Sequence, residues 1–322
     1  MQAKPMQVSA EVQARYRAAL EALTAKLEKD PYILAAIVYG SVARGEAWEK
    51  SDIDMDIIQQ DGLGRDGRHV YLVEEGINIS ATVISRGKFK HDLDAALQGS
   101  FSHAIRAHAK LLLCKDESIA TWFAESNRIG DRDREYQLLA AVSAVPALLD
   151  KVEKWLYVKQ DAQYSVVWLL NVANSLARVE TIWQGEAPGR EVLDQALRYN
   201  PTLFRAIYTD LLHGHQQLAD IEHALRLIDE YLSERAEVIF KPLLDYLDEA
   251  DSPRTLSELA QHFAKKIRPD GFMWVDLFWP IEWLSRKGII TKVASPLRLT
   301  KKSPVTVEEP AFYYERDEFD WA

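Results

Sequence analysis

Apolar residues in the first third of the chain recur at two different spacings. Steps of three and four over residues 12–27 predict a helix with one apolar face. Short apolar runs or alternating apolar and polar residues then predict four strands, at 33–39, 53–58, 69–73 and 77–84. Helical spacing returns from residue 86 to about 123. This mixture predicts a small mixed α/β domain over residues 1–125.

The middle of the chain shows only the helical spacing. Apolar residues keep steps of three and four from residue 131 to about 247, and no strand pattern interrupts them. The sequence Gly-Glu-Ala-Pro-Gly at 185–189 is typical of a turn between helices. We therefore predict an α-helical bundle over residues 126–250.

The pattern changes again from residue 252. Two short helices are predicted there, followed by a β-ribbon that begins at Ile289, with turns at Ser295-Pro296 and Ser303-Pro304. This order resembles a winged helix-turn-helix, so residues 251–322 are predicted to form a winged-helix-like C-terminal domain with an acidic tail. The predicted fold class is α+β, with a mixed β-sheet domain, a helical bundle and this third domain.

Composition narrows the range of functions. The net charge of −10 argues against wholesale binding to nucleic acid. The single Cys114 excludes an intrachain disulfide, and its apolar surroundings in the sequence predict a buried, inert thiol. Residues 1–13 lack the apolar core of a signal peptide, and no apolar stretch is long enough to cross a bilayer. We expect a cytoplasmic protein.

A turn at Gly40-Ser41 is the first candidate for chemistry. The apolar run at 33–39 ends at Gly40, where the missing Cβ lets the backbone approach a ligand closely. Ser41 adds a hydroxyl donor. If the following residues open a helix, its free N–H groups favour phosphate at the same point.

A pair of carboxylates follows this turn. Asp52 and Asp54 stand two residues apart on a predicted strand, so both side chains leave one face, about 6.6 Å apart along the chain. Carboxylate oxygens suit Mg²⁺, which binds to proteins through one or two carboxylates and to the phosphates of the substrate. A phosphate-binding turn beside such a pair is what phosphoryl or nucleotidyl transfer to a hydroxyl requires.

These residues resemble a known signature. Gly-Ser, ten further residues and Asp-Ile-Asp match the pattern of the DNA polymerase-beta-like nucleotidyltransferase superfamily over about the first 115 residues. The sequence Ala-Arg-Gly at 43–45 and Ser51 before Asp52 resemble the minimal and the aminoglycoside (kanamycin, streptomycin) nucleotidyltransferases. The helical bundle downstream is also typical of the antibiotic-modifying branch.

The resemblance implies a role for each matching residue. Gly40 and Ser41 would hold the phosphates of an NTP, with ATP the expected donor, and Asp52 and Asp54 would be catalytic and bind Mg²⁺. Arg44 and Ser51 would contact the nucleotide, although a surface salt bridge is an equal alternative for Arg44. The acceptor would be a hydroxyl of an aminoglycoside-like small molecule or of a protein.

The sequence departs from the family at the third carboxylate. Active members carry an acid on a neighbouring strand, which helps bind the metal or takes the proton from the attacking hydroxyl. The matching strand here offers only Asn78, Ser80 and Thr82. Glu74 or Glu75 would replace the acid if the preceding turn folded them inward, and exposed turn glutamates are the alternative. Asp56 is interpreted as a solvated charge at the end of its strand.

The C-terminal segment raises a second hypothesis. From residue 254 to 302 there are ten Lys or Arg and four Asp or Glu, a local excess that suits contact with a phosphate backbone. A catalytically degenerate, nucleotide-sensing or DNA-binding regulator is therefore the alternative function. The presumed recognition helix is apolar nearly all round, which favours packing or a homodimer over DNA binding. Its apolar residues are Phe272, Met273, Trp274, Leu277, Phe278, Trp279, Ile281 and Trp283.

Overall fold

The computed structural model describes residues 10–96, 109–125, 131–189, 191–214, 217–264, 266–267, 276–300, 302 and 304–315. The chain divides into two compact units. Unit 1 comprises Met1–Leu97 and Phe101–Ile129, and unit 2 comprises Gln98–Ser100 and Gly130–Ala322. Phe272, Met273, Trp274 and the acidic end of the tail lie outside the described residues.

Unit 1 is a five-stranded mixed sheet with helices on both faces. Its elements are α1 (Ala10–Glu28), β1 (Ile33–Tyr39), α2 (Gly40–Arg44), β2 (Ile53–Gln59), β3 (Arg68–Glu74), β4 (Ile77–Ser85), α3 (Arg86–Ala96), β5 (Lys110–Cys114) and α4 (Glu117–Glu125). The strand order is β3-β4-β2-β1-β5, in which β2 and β4 are parallel and the other neighbours antiparallel. The predicted α+β class and the four predicted strands are confirmed.

Strand β5 corrects the prediction that residues 86 to about 123 form helices only. The segment Lys110–Cys114 pairs with β1 at the edge of the sheet, with Ala35 opposite Cys114. A run of five mostly apolar residues satisfies a buried helix and a buried strand equally well, so spacing alone could not decide between them. Cys114 is half-buried and its thiol donates to the carbonyl oxygen of Asp116 at 3.1 Å.

Two separate apolar clusters cover the faces of the sheet. One face packs against α1 through Val12, Tyr16, Ala19 and Leu23. The other face packs against α3 and α4, which contribute Phe89, Leu93 and Ile119. Because the strands are covered on both sides, β1 reads in the sequence as an uninterrupted apolar run.

Unit 2 begins as a set of packed helices. They are α5 (Asp131–Val142), α6 (Val145–Glu153, continued by a π-helical turn at Lys154–Val158), α7 (Ala162–Trp183), α8 (Val192–Tyr199), α9 (Pro201–Phe204, continued by a π-helical turn at Arg205–Thr209), α10 (Asp210–His213), α11 (Leu218–Glu234), α12 (Ala236–Ile239) and α13 (Lys241–Asp248). The described residues of this region contain no strand, as the helical spacing predicted. None of the helices in the described parts of the chain combines the length and the apolarity needed to span a membrane.

The end of unit 2 adds a small antiparallel sheet. Its elements are β6 (Arg254–Thr255), α14 (Leu256–Ala264), α15 (Phe278–Arg286), β7 (Thr291–Leu297) and β8 (Val307–Tyr313), and the strand order is β6-β8-β7. One continuous apolar cluster includes residues of the bundle and of this segment, from Leu138 to Phe312. A domain boundary near residue 250 stays a prediction.

The predicted turn at Ser295-Pro296 is wrong. Both residues lie inside β7, where they face Glu309 and Glu308 of β8. Proline lacks an N–H to donate to a ladder, so it is tolerated in strands mainly at the edge of a sheet. β7 is such an edge strand, which allows it to run through Pro296.

Candidate functional site

The turn after β1 brings the backbone of Gly40 against a carboxylate. Gly40 has a φ of +77°, and a Cβ placed on it would lie 3.1 Å from Oδ2 of Asp54. The two segments meet because Tyr39, the last residue of β1, faces Asp54 in the antiparallel ladder with β2. A side chain at position 40 would therefore be strained and would press on the carboxylate.

Helix α2 opens directly from this turn, as predicted, and is one turn long. It ends at Gly45, whose φ of +78° is left-handed and whose N–H donates to the carbonyl oxygens of Ser41 and Val42. Arg44 lies in this helix, and its Nε donates to Oε2 of Glu46 at 2.6 Å. The salt bridge expected as the alternative for Arg44 is therefore formed, and contact of Arg44 with a nucleotide stays a prediction.

The loop between α2 and β2 places Ser51 beside Ser41. The hydroxyl of Ser41 donates to that of Ser51 over 3.4 Å, and the Ser51 hydroxyl also accepts from the backbone N–H of Trp48. These contacts join the two serines that the sequence singled out. They also fix the loop immediately before Asp52.

Helix α1 holds the same loop from the other side. The hydroxyl of Tyr16 donates to the carbonyl oxygens of Trp48 and Ser51, and Gln13 donates to that of Ala47 at 2.7 Å. Burial raises the pKa of the Tyr16 hydroxyl, with a smaller upward effect from Asp52 and an opposing one from Arg15. Tyr16 therefore remains a donor, and its role was not visible in the sequence, where it looked like one more apolar position.

The two predicted metal ligands differ in exposure. Asp52 is exposed and lies one residue before β2, whereas Asp54 is the second residue of β2 and is half-buried. No group of three or more His, Cys, Asp or Glu that could hold a metal occurs among the described residues. A metal bound here would rely on these two carboxylates and on oxygens of the substrate.

The face of the sheet that carries Asp54 changes from apolar to polar along its length. Ile58 of β2 and Ile84 of β4 lie in the cluster formed by α3 and α4. Two residues before these isoleucines, on the same face of the two parallel strands, Asp56 lies beside Thr82. Four residues before them, Asp54 lies beside Ser80. The apolar end holds the helices, so the polar end marks the candidate site.

Asp56 is not the solvated strand-end charge expected from the sequence. Strand β2 continues to Gln59, so Asp56 lies in its middle, where it is only 7% exposed. The hydroxyl of Tyr39 lies 3.5 Å from its Oδ1. The predicted strand at 53–58 already contained Asp56, but the alternation of residues along it does not show that this position is buried.

Neither glutamate of the β3–β4 turn supplies the missing third acid. Glu74 forms an ion pair with Lys26 of α1, on the face of the sheet opposite to Asp54. Glu75 is exposed in the turn itself, at a φ of +49°. The strand position beside Asp54 belongs to Ser80, as the sequence indicated.

A histidine that the sequence analysis passed over lies next to Ser80. His69 of β3 places its Nε2 at 3.2 Å from the Ser80 hydroxyl and its Nδ1 at 3.5 Å from the Thr82 hydroxyl. Its ring also meets the ring of Tyr71 edge to face, with centroids 4.7 Å apart. The alternation of β3 puts His69 on the face of Asp54, a signal that was readable once the pairing with β4 was known.

Comparisons with known proteins support the fold class of the chain. Residues 21–118 match the family model described as polymerase beta, nucleotidyltransferase. The crystal structure of a nucleotidyltransferase-like protein from Exiguobacterium sibiricum 255-15 is similar in fold, with a TM-score of 0.62 and 16% sequence identity over 94% of this chain and 99% of that chain. No curated protein matches the sequence. The closer resemblance to kanamycin-type enzymes stays a prediction.

Proposed function

We propose that the protein is a Mg²⁺-dependent nucleotidyltransferase. It moves a nucleoside monophosphate from an NTP, with ATP the expected donor, to a hydroxyl of an aminoglycoside-like small molecule or of a protein, and releases pyrophosphate. The observation that carries this proposal is that the carboxylate of Asp54 lies against the position that a Cβ of Gly40 would occupy, inside the segment that matches the nucleotidyltransferase family. We expect the reaction to occur in the cytoplasm.

The residues present fit a magnesium ion. Asp52 and Asp54 offer hard carboxylate oxygens, and Mg²⁺ takes only one or two of these from a protein when phosphates supply others. A Cβ at position 40 would lie 3.1 Å from Oδ2 of Asp54, so glycine at this turn keeps a side chain from pressing on the carboxylate that would hold the ion. When bound, the ion would neutralise charge on the phosphate oxygens during transfer.

The remaining predicted residues would act on the nucleotide. The hydroxyls of Ser41 and Ser51 stand together at the start of α2, where each can donate to a phosphate oxygen in place of its present contact. Arg44 would have to exchange its partly exposed contact with Glu46 for a phosphate. In such a site, catalysis consists mainly of positioning and charge neutralisation.

Removal of the Asp54 carboxylate tests the proposal. Transfer of label from α-labelled ATP to a panel of aminoglycosides, polyols and the protein itself should fall by about a thousandfold or more in Asp54→Ala, because charge neutralisation at the reacting phosphate is a dominant effect. Glu75→Gln, which neutralises an exposed acid of the same sheet, should keep the wild-type rate. Equal transfer by Asp54→Ala and wild type would end the proposal.

A DNA-binding regulator is the second candidate. The order of elements from α13 to β8 (helix, short strand, two helices and a β-hairpin) favours it, because this is the order of a winged helix-turn-helix. Three cations of the segment argue against it. Arg286, Lys287 and Lys292 form ion pairs with Asp150, Asp229 and Glu282, so contact with DNA would first have to break these pairs.

A salt series separates the two candidates. Electrophoretic mobility of a DNA duplex should be unchanged by the protein at low salt if the segment serves packing or a homodimer. Binding that weakens steeply as salt rises would support the regulator, because displaced counterions make phosphate contacts salt-dependent. Loss of that binding in Arg298→Gln would assign it to the loop between β7 and β8.

A further inference from the structure

On the sheet face that carries Asp54, the neighbouring strand has no carboxylate beside Asp54 to accept the proton of the attacking hydroxyl. Ser80 occupies the strand position beside Asp54, and a serine hydroxyl is not a base at neutral pH. One strand spacing is about 4.8 Å, so the Ser80 hydroxyl stands within reach of a group held at the Asp54 carboxylate. A group that accepts the proton of the acceptor hydroxyl at this position is therefore expected at Ser80 or next to it.

The side chain next to Ser80 is an imidazole. Nε2 of His69 lies 3.2 Å from the Ser80 hydroxyl, a distance suited to proton movement between the two. Histidine is the side chain most often used as a general base, since its ordinary pKa is close to neutral. We propose that His69 accepts, through Ser80, the proton of the acceptor hydroxyl, a role that rests on the proposed nucleotidyl transfer.

The step balances without any further reactant. The acceptor oxygen forms a bond to the α-phosphorus while the bond between that phosphorus and the bridging oxygen of pyrophosphate breaks. The proton of the acceptor passes to the Ser80 oxygen as the Ser80 proton passes to Nε2 of His69. Because His69 is exposed on the edge strand β3, its ring can then release the proton to water.

The surroundings of His69 support this assignment over the nearest acid. Asp56 lies on the same face, but it is 7% exposed and faces the Tyr39 hydroxyl, so it has poor access to an incoming acceptor and to water. Tyr71, beside the ring of His69, is 82% exposed, which shows that this side of the face is open. The titratable residues on this face of β2 and β3 are Asp54, Asp56 and Tyr71, and α3, which packs on the same face, carries an ion pair between Lys88 and Asp92.

Kinetics over pH 5–9 test the role in the full-length protein. With Mg²⁺, ATP and the best acceptor of the panel, His69→Gln should lower kcat by about a hundredfold, since general-base catalysis contributes on that scale. The KM for ATP should stay within about twofold. Wild type should lose rate as pH falls, because a general base accepts a proton only when it is unprotonated, and this dependence should disappear in His69→Gln. His91→Gln, at an exposed histidine of α3, should keep the wild-type rate and pH profile.

Two variants identify the route of the proton. Ser80→Ala should reduce kcat by about tenfold or more and leave the KM for ATP unchanged, because the imidazole loses its link to the acceptor. Asp56→Asn should still lose rate as pH falls. If that loss instead disappears in Asp56→Asn and persists in His69→Gln, the proton goes to Asp56 and the proposal is overturned.

A binding measurement keeps the proposal testable apart from turnover. In ¹⁵N-histidine-labelled protein, the ring signals that His69→Gln removes should shift when Mg²⁺ and a non-hydrolysable α,β-methylene ATP analogue are added, and should not shift in Asp54→Ala. Binding of the analogue with no shift in these signals overturns the role of His69 alone. Failure of wild type to bind the analogue or to release pyrophosphate from ATP overturns the transferase proposal as well.

Discussion

Polar side chains serve different purposes in the two units. In unit 1, side chains from β2, β3 and β4 gather at one end of a sheet face whose other end is apolar. In unit 2, three cations of the C-terminal segment form ion pairs with acids. The buried Glu180 of α7 likewise accepts from the Tyr231 hydroxyl and from Gln184.

This difference indicates where binding chemistry is to be expected. When a polar group already forms a hydrogen bond or ion pair within the fold, binding a ligand instead costs free energy, because the former partner is left unsatisfied. At the end of the sheet face in unit 1, backbone pairing between the strands sets where Asp54 and Ser80 lie. We therefore expect substitutions at this end of the face to change ligand binding, and substitutions in the ion pairs and buried hydrogen bonds of unit 2 to change stability alone.

The largest effect expected from this comparison is at Gly40. Gly40→Ala should weaken binding of Mg²⁺–ATP by tenfold or more, because the added Cβ would press on Asp54 Oδ2. Gly45→Ala is the matched control, since its φ is also left-handed but nothing lies within 4 Å of its Cβ. Both should lose stability by about 1–2 kcal/mol from backbone strain. Calorimetric titration that finds the same affinity loss in both variants would contradict the clash with Asp54.

An intermediate effect, on the free energy of unfolding, is expected when Tyr231 is substituted. Tyr231→Phe removes a hydrogen bond to a buried carboxylate and should lower the free energy of unfolding by about 1–3 kcal/mol at pH 7. Affinity for Mg²⁺–ATP should remain within twofold of wild type. A larger loss of affinity would contradict the expectation that this hydrogen bond in unit 2 affects stability and not ligand binding.

The same substitution has a pH signature. Burial raises the pKa of Tyr231 above its ordinary value, and the Glu180 carboxylate raises it further. The unfolded chain thus loses this proton first, near pH 10, so the contribution of Tyr231 to stability is complete below that pH and decreases as pH rises above it. Denaturant unfolding between pH 8 and 11 should show the difference between wild type and Tyr231→Phe narrowing above pH 10. A constant difference would contradict this coupling.

The smallest effect is expected at the ion pair between Lys287 and Asp229. Both side chains are partly exposed, at 32% and 48%, so their coupling in a double-mutant cycle of Lys287→Gln and Asp229→Asn should be below about 1 kcal/mol. Urea unfolding of the four proteins measures it. A coupling energy well above this value would mean that the ion pair contributes substantially to the stability of the C-terminal segment.

Local spacing was sufficient for the elements whose pattern is unambiguous. The helix at Ala10–Glu28, the strands β1 to β4 and the helices of unit 2 follow from steps of three and four or from alternation, which depend only on neighbours in the chain. The Gly40-Ser41 turn and the carboxylate pair of Asp52 and Asp54 were also predicted, because a glycine at the end of an apolar run and an acid two residues from another are local features.

The remainder depended on partners that are distant in the sequence. The segment Lys110–Cys114 became a strand because β1 had an open edge, and Pro296 lies in a strand because that strand is at an edge. Tertiary contacts also decided the surroundings of each acid, since Glu74 pairs with Lys26 of α1 on the opposite face of the sheet, while Asp56 is buried beside the Tyr39 hydroxyl of β1. His69 came to Ser80 only through the register of β3 with β4. The sequence by itself determined which residues could do chemistry, and the pairing of strands decided which of them meet.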